Sequence, residues 1–388
     1  MKILEVCTES SPTYALVFQR AQTLNQQYPR LFQIDILCSE GKEVSLMQQQ
    51  GMKVIISCLH RSLSPLALLR SLFNLHQVLR RNEYQVIHLH FGIPGLVGRL
   101  LATLYRQPIW VYQSHGYSIS ANTGKLSRTL YLAVERAFKN TVDFALFQSK
   151  EDIRLARQYR LLHQAQIIYL GNGIDTDRFQ PDSAKMPDND DAHKNCFVFG
   201  MVARFESIKN HQLLLDAIKR LRLKTENFKV LLIGQGELKD KIAAQIAAHE
   251  LYQWVEIMSY NHDMPGFYRQ IDMGVLTSFG EGLPRALLEP MACGKPVLCT
   301  DVKGSREAVV DNETGFILPL DQPAVWAEKM LWCIEHQHTL RTMGHQARQH
   351  VLEHFSEQQV IERLGAVYQR CYQLNEDKKA TALTESST

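Results

Sequence analysis

The chain has 388 residues, 45% of them hydrophobic and 21% charged, which suits two or three domains and excludes disordered or fibrous proteins. Eight cysteines, at 7, 38, 58, 196, 293, 299, 333 and 371, form no C-x-x-C pair and no metal-ligand spacing, which excludes a zinc framework and predicts reduced thiols. The net charge of +3 divides into a surplus of eight positive charges over 1–175 and five negative over the rest. A basic first half suits anionic lipid headgroups or a phosphorylated acceptor, or is a solvated face. No Lys/Arg run with interleaved aromatics points to nucleic acid. The N-terminus becomes polar too soon for a signal peptide, and no apolar window approaches ~20 residues. The expected location is the cytoplasm, including the inner face of the cell membrane.

In chain order, Ile3–Val6, Gln33–Leu37, Val54–Ile56, Val86–Leu89, Ile109–Tyr112, Phe144–Phe147 and Ile167–Leu170 read as buried strands. Helical patterns lie between several of them, such as Pro65–Arg80 with leucines at 66, 68, 69, 72, 75 and 79. That alternation predicts a parallel sheet covered on both faces. Residues 176–195 hold two prolines and an aspartate cluster and read as a linker. The pattern restarts with Phe197–Val202, Lys229–Ile233, Trp254–Met258, Met273–Leu276 and Pro296–Cys299. The expected architecture is α/β with two Rossmann-like domains, 1–175 and 196–355. Their sheets are expected to face a central cleft, since ligands sit beyond the carboxyl ends of such strands. A helix over 356–374 and a disordered tail over 375–388 complete the prediction.

The strongest chemical signal is the run from Ser278 to Pro296, with Glu281, Gly282, Leu283, Pro284, Glu289 and Gly294. Gly282 allows an unusual turn, Pro284 suits the first helical position and Gly294 the C-terminal cap. A helix entered through glycine presents free amides to a phosphate. Two glutamates eight residues apart on one helix would stand ~12 Å apart along its axis, beyond the ~5–9.5 Å of a glycosidase pair. They read as acceptors for the hydroxyls of two different sugars.

Upstream, Arg204 and Lys209 follow a strand, and a guanidinium fork with an ammonium can neutralise a diphosphate. Gly234 and Gly236 form a Gly-x-Gly turn after another strand, which by itself is a weak signal. His88, His90 and His115 end strands of the first half, as sugar-facing or structural histidines. No third metal ligand is evident near the histidine pair. Asp175-Thr-Asp177 and Asp188-Asn-Asp190 match D-x-D, but read as a turn and a solvated linker rather than metal sites.

Together these residues resemble glycosyltransferase family 4, whose members share the two-domain GT-B architecture. The likeness is carried by Glu281 and Glu289, Arg204 with Lys209, His88 and His90, His115-Gly116, Asn172–Asp175 and Asp301–Glu307. It covers nearly the whole chain and is similar to members that build bacterial capsule, exopolysaccharide or O-antigen repeat units. The resemblance implies transfer of a sugar from a nucleoside diphosphate with retention of configuration and no required metal. Arg204 and Lys209 would grip the diphosphate, and Glu289 the ribose. Glu281 with the amides of Gly282 and Leu283 would bind the sugar, His115 would contact it from the other domain, and the last helix would cross back to the N-terminal domain.

The Asp301–Glu307 segment resembles that of the family's UDP-sugar-using subset, which implies a UDP-sugar donor, with an N-acetylhexosamine as candidate and GDP-mannose second. The expected acceptor is a saccharide on a polyprenyl diphosphate. Pro65–Arg81, with Arg70, Arg80 and Arg81, is either a membrane-contacting surface or a core-facing helix.

Three features depart from the family pattern. Thr8-Glu-Ser-Ser-Pro12 replaces a glycine-rich loop, Ile93-Pro94 replaces a lysine, and Pro290 is expected to kink the helix after Glu289. A sugar-nucleotide epimerase or hydrolase would share the fold, as would a scaffold subunit that has lost catalysis.

Overall fold

The computed structural model describes residues 1–385 apart from 60, 61, 63, 91, 106, 118–123, 163–165, 182–195 and 259–262, with side chains up to 377. Asp188–Asp190 therefore lies outside the described residues, as does most of the expected linker. Apart from 120–122, the residues up to Leu170 and from Val360 onward gather into one compact unit, and Gly171–Gln359 into a second.

The first unit carries β1 (Lys2–Val6), β2 (Gln33–Cys38), β3 (Val54–Ile56), β4 (Val86–His90), β5 (Ile109–Ser114), β6 (Phe144–Phe147) and β7 (Gln166–Tyr169). They pair in parallel in the order β3-β2-β1-β4-β5-β6-β7. Between them run α1 (Ser10–Thr13), α2 (Gln19–Gln27), α3 (Lys42–Gln49), α4 (Pro65–Arg81), α5 (Ile93–Ala102), α6 (Lys125–Ala137) and α7 (Lys150–Gln158), with a π turn at Tyr14–Phe18. Where a glycine-rich loop would follow β1, the chain instead starts α1, and Ser10 Oγ donates to Glu43 Oε2 at 2.7 Å.

Alternation along the strands splits the apolar residues between two faces. Ile3, Ile34, Ile36 and Val86 pack with Phe18 and Leu24. Leu4, Ile87 and Leu89 pack with Leu75, Val97 and Leu101 of α4 and α5. The first face is closed by Val360, Leu364, Val367, Tyr368 and Cys371 of the last helix, whose three- and four-residue spacing makes one apolar stripe.

The second unit carries β8 (Phe197–Val202), β9 (Phe228–Ile233), β10 (Val255–Met258), β11 (Met273–Leu276), β12 (Val297–Thr300) and β13 (Gly315–Leu318), parallel in the order β10-β9-β8-β11-β12-β13. Its helices are α8 (His211–Leu221), α9 (Lys239–Ala248), α10 (Met264–Gln270), α11 (Arg285–Ala292), α12 (Ser305–Ala308), α13 (Pro323–Glu335) and α14 (Gln337–His354), before α15 (Glu357–Glu385). β13 escapes sequence reading because it is a four-residue edge strand that opens on glycine.

Three expectations need correction. The Gly171–Asp175 turn belongs to the second unit rather than closing the first: Ile174 N–H donates to Phe355 O at 2.8 Å, and Glu357 N–H to Ile174 O at 2.9 Å. The tail expected to be disordered from 375 is helical to Glu385, its Glu, Lys, Ala and Leu being good helix formers. Pro284 is the N-cap of α11, not its first helical residue. α11 runs through Pro290 to Ala292, and the proline ring packs on Gly274, where a Cβ would lie 2.9 Å from Pro290 Cγ.

Candidate active site

Each sheet reverses its strand order once, between β1 and β4 and between β8 and β11. The carboxyl ends of such strand pairs are where open α/β sheets bind ligands.

In the second unit, the loop after β8 is clamped by the Gly-x-Gly turn. Ala203 N–H donates to Ile233 O at 3.0 Å and Phe205 N–H to Gln235 O at 2.9 Å. A Cβ on Gly234 would strike the Ala203 carbonyl, and one on Gly236 (φ +150°) would come within 2.5 Å of the Phe205 carbonyl. Gly234 and Gly236 therefore shape the backbone that carries Arg204. That side chain is 58% exposed, and its guanidinium lies 2.7 Å from Glu206 Oε1.

Lys209 ends a short 3₁₀ turn before Asn210, which takes the left-handed conformation (φ 47°). Thr277 Oγ1 donates to the Lys209 carbonyl at 3.0 Å, and Phe279 N–H to the Ile208 carbonyl at 2.8 Å, so the loop beyond β11 holds this turn in place. Lys209 Nζ lies 2.6 Å from Glu281 Oε1, which also accepts from Ser278 Oγ at 2.5 Å. The side chains of Lys209 and Glu281 are 18% and 12% exposed. Two residues assigned separate tasks thus form one charge-assisted pair. Gly282 sits under Gly304 (φ +82°), where any Cβ would hit the Gly282 carbonyl. Leu283 O accepts from Asn172 Nδ2 at 2.9 Å.

Glu289 stands one turn into α11. Its carboxylate accepts from Tyr268 Oη at 2.9 Å and from Arg285 Nε at 3.2 Å. Burial and the Glu289 charge push the Tyr268 phenol far above its ordinary pKa, so it remains a donor. Sequence reasoning missed Tyr268, whose only signal is an aromatic in a short helix.

In the first unit, β1, β4, β5 and the turn after β6 bring together Glu5, His88, His90, His115 and Gln148. His90 Nε2–H donates to Glu5 Oε2 at 2.7 Å, His115 Nε2–H to His90 Nδ1 at 2.9 Å, and Gln148 Nε2–H to His115 Nδ1 at 3.0 Å. Tyr368 Oη donates to Glu5 Oε1 in a short bond, and His88 Nδ1 lies 2.8 Å from the same hydroxyl. Burial alone would raise the Glu5 pKa, but His88 and His90 hold its carboxyl well below the usual range. Burial, then the neighbouring His90 and Arg20, keeps His115 neutral well below its ordinary value, and burial likewise lowers His90. With both rings neutral, the tautomers follow from the bonds: each histidine carries its proton on Nε2.

Both ring nitrogens of His115 are thus used within this unit. A sugar hydroxyl reaches one only if an internal bond opens. Ligating atoms of Glu5, His88 and His90 lie within 4.8 Å of one another, so the fold supplies the third ligand that the sequence did not reveal, a set chemically able to hold a divalent cation. Asp175 Oδ1 accepts from the backbone N–H of Asp177 and Arg178 at 3.1 and 3.0 Å, a turn as expected.

The family model for "Glycosyl transferases group 1" matches residues 183–350, and that for "Glycosyl transferase 4-like" matches 5–149. The chain is 27% identical over 354 residues to the capsular polysaccharide biosynthesis glycosyltransferase CapM of Staphylococcus aureus, covering 89% of this chain and 92% of that protein. It is 24% identical over 300 residues to the UDP-Gal:alpha-D-GlcNAc-diphosphoundecaprenol alpha-1,3-galactosyltransferase of Escherichia coli, covering 75% and 77%. Among solved structures, HepE of Anabaena in complex with UDP superposes with a TM-score of 0.77 at 19% identity, over 95% of this chain and all of that one. That likeness shows the fold, GT-B. One of these models matches each unit, and the chain is a glycosyltransferase.

Proposed function

We propose that this glycosyltransferase moves a sugar from a UDP-sugar, with retention of configuration, onto a saccharide carried by a polyprenyl diphosphate, in the synthesis of a surface polysaccharide. The observation that carries the reading is the Lys209–Glu281 pair beyond the carboxyl edge of the second sheet, with Glu289 held by Tyr268 and Arg285 on α11 and Arg204 on the loop after β8. Donor and acceptor class are supported by the Escherichia coli relative, named for UDP-Gal and a diphosphoundecaprenol acceptor. No described helix is long and apolar enough to cross a membrane, and we place the reaction in the cytoplasm at the inner membrane face.

In this reading Glu289, oriented by Tyr268 and Arg285, accepts the ribose hydroxyls. Glu281 and the amides of Gly282 and Leu283 hold the transferred sugar. Lys209 rests on Glu281 until the phosphates arrive, and then with Arg204 balances the charge that grows on the leaving diphosphate. The anomeric carbon–oxygen bond breaks with its electron pair going to UDP. The acceptor oxygen bonds to that carbon on the same face, and its proton leaves with the diphosphate. Holding both partners on one face is most of the catalytic task, and this scheme calls for no metal.

A thermal-shift panel of UDP, GDP, ADP and TDP on the wild type and on Glu289→Ala tests the reading. A ligand at 100 times its dissociation constant adds about 2.7 kcal/mol. UDP is expected to stabilise the wild type and not the variant. Stabilisation by GDP alone would replace the donor, and none by any nucleotide would remove the site.

A further inference from the structure

We propose that the first unit docks on an anionic lipid bilayer through the outward faces of α4 and α6, which lie on the same side of its sheet. The purpose rests on the lipid-linked acceptor proposed above, while the docking face is read from the residues themselves.

In α4, Ser71, Leu75 and Leu79 turn inward, whereas Leu66, Leu69 and Phe73 are each about 60% exposed. In α6, Leu132 and Glu135 turn inward, whereas Leu126 is 84% and Leu130 65% exposed, with Ala133, Val134 and Ala137 exposed on the same stripe. Spacings of three and four put each set on one helical face. Six or more apolar side chains presented outward on neighbouring helices exceed the scattered exposure of an ordinary surface.

The fold places the two stripes together. α5 lies between the helices: Tyr105, just beyond its end, bonds to His76 of α4 at 2.8 Å, and Arg99 clasps Glu135 of α6 at 2.9 and 3.0 Å. A helix following a strand of a parallel sheet starts at the sheet's carboxyl edge. The exposed leucines fall in the first turns of α4 and α6, so the patch flanks the edge that carries His90 and His115.

Charge selects the occupant. α4 carries exposed Arg70, Arg80 and Arg81 and no acidic residue, and α6 carries exposed Lys125 and Arg136, its one acid, Glu135, being buried against Arg99. Exposed Arg70 stands within the α4 stripe, and exposed Lys125 heads α6. At the far end of α6, Arg136, Lys139 and Arg160 line a recess of about 360 Å³ that has no carboxylate in its wall. Apolar stripes with basic flanks suit the interface of an anionic membrane. A second copy meeting this face about a twofold axis would set like charges against each other.

The test is flotation of the full chain with vesicles of phosphatidylcholine, with or without phosphatidylglycerol, at low salt, for the wild type and for Leu126→Ser/Leu130→Ser and Leu66→Ser/Leu69→Ser. The wild type is expected to float only with the anionic vesicles, and each double variant to lose about tenfold in binding. The UDP thermal shift should stay unchanged in the variants, showing an intact fold and nucleotide site. A wild type that stays at the bottom with anionic vesicles overturns the proposal, as do variants that float like it. So does a dimer in light scattering that the variants dissolve. Flotation without any nucleotide response would remove the functional reading and leave the docking face standing.

Discussion

The two strand-reversal points are built on one topology and hold opposite kinds of site. Beyond β8 and β11 the charges run from open to partly buried: Arg204 is more than half exposed, and Lys209 and Glu281 are partly buried and joined by one short ion pair. Beyond β1 and β4 the carboxylate of Glu5 is closed over, with two histidines and Tyr368 bonded to it. An ion pair near solvent can be traded for a ligand's phosphate at small cost, because water and the ligand both compensate the exchanged charges. A buried carboxylate whose oxygens are already hydrogen-bonded cannot be recruited so easily. The comparison teaches that the second unit is arranged to receive charge, and the first to hold a fixed geometry.

The largest effect that can break this contrast is at Lys209. Lys209→Ala removes the cation beside Glu281, and the proposed charge stabilisation makes kcat/KM for the donor fall about 10²–10³-fold, the range seen when one preorganised electrostatic donor is lost. Steady-state kinetics with purified enzyme measures it. A loss under about tenfold would make the pair structural and erase the distinction between the two sites.

The matching change in the first unit is Glu5→Gln. It removes the charge that His90, His88 and Tyr368 all address, and is expected to cost about 2 kcal/mol of stability, the scale of a lost charged hydrogen bond plus a mispaired donor. Urea unfolding reads this directly, and the UDP thermal shift should persist. If Glu5→Gln is as stable as the wild type but inactive, the network serves chemistry rather than geometry.

Legibility in the sequence followed the same divide. The second site is written almost in one run: Ser278, Glu281, Gly282 and Glu289 are neighbours in sequence, and the ion pair needs only Lys209 from elsewhere. The first site draws on Glu5 within β1, His90, His115 and Gln148 at or just beyond the ends of three other strands, and Tyr368 on the last helix, so no local spacing announces it. One clue was present: Glu5 interrupts Ile3-Leu4-Glu5-Val6, and a charge inside a strand buried on both faces needs a partner. The strand set was legible because continuous apolar runs mark a covered parallel sheet. The tail beyond 374 was not, since a segment of polar helix formers reads alike as helix or as disorder.

The smallest prediction concerns a histidine beside the cations of the second site. His211 opens α8, stacks on Phe205 with ring centroids 4.9 Å apart, and is held neutral by burial and then by Lys209, its pKa pushed down to about 4. In the unfolded chain it titrates near ~6.5. Below that value the unfolded state binds a proton that the folded state refuses, so the contribution is fully present above about pH 6.5 and is lost as pH falls toward 4. Between pH 6.5 and 5.5 the wild type should lose about 1 kcal/mol more than His211→Phe, which keeps the stack and removes the titration. Urea midpoints at the two pH values decide it. Parallel profiles would mean that His211 protonates freely in the fold, adding a third cation beside Lys209 and making this site, like the first, one whose charge is set from within.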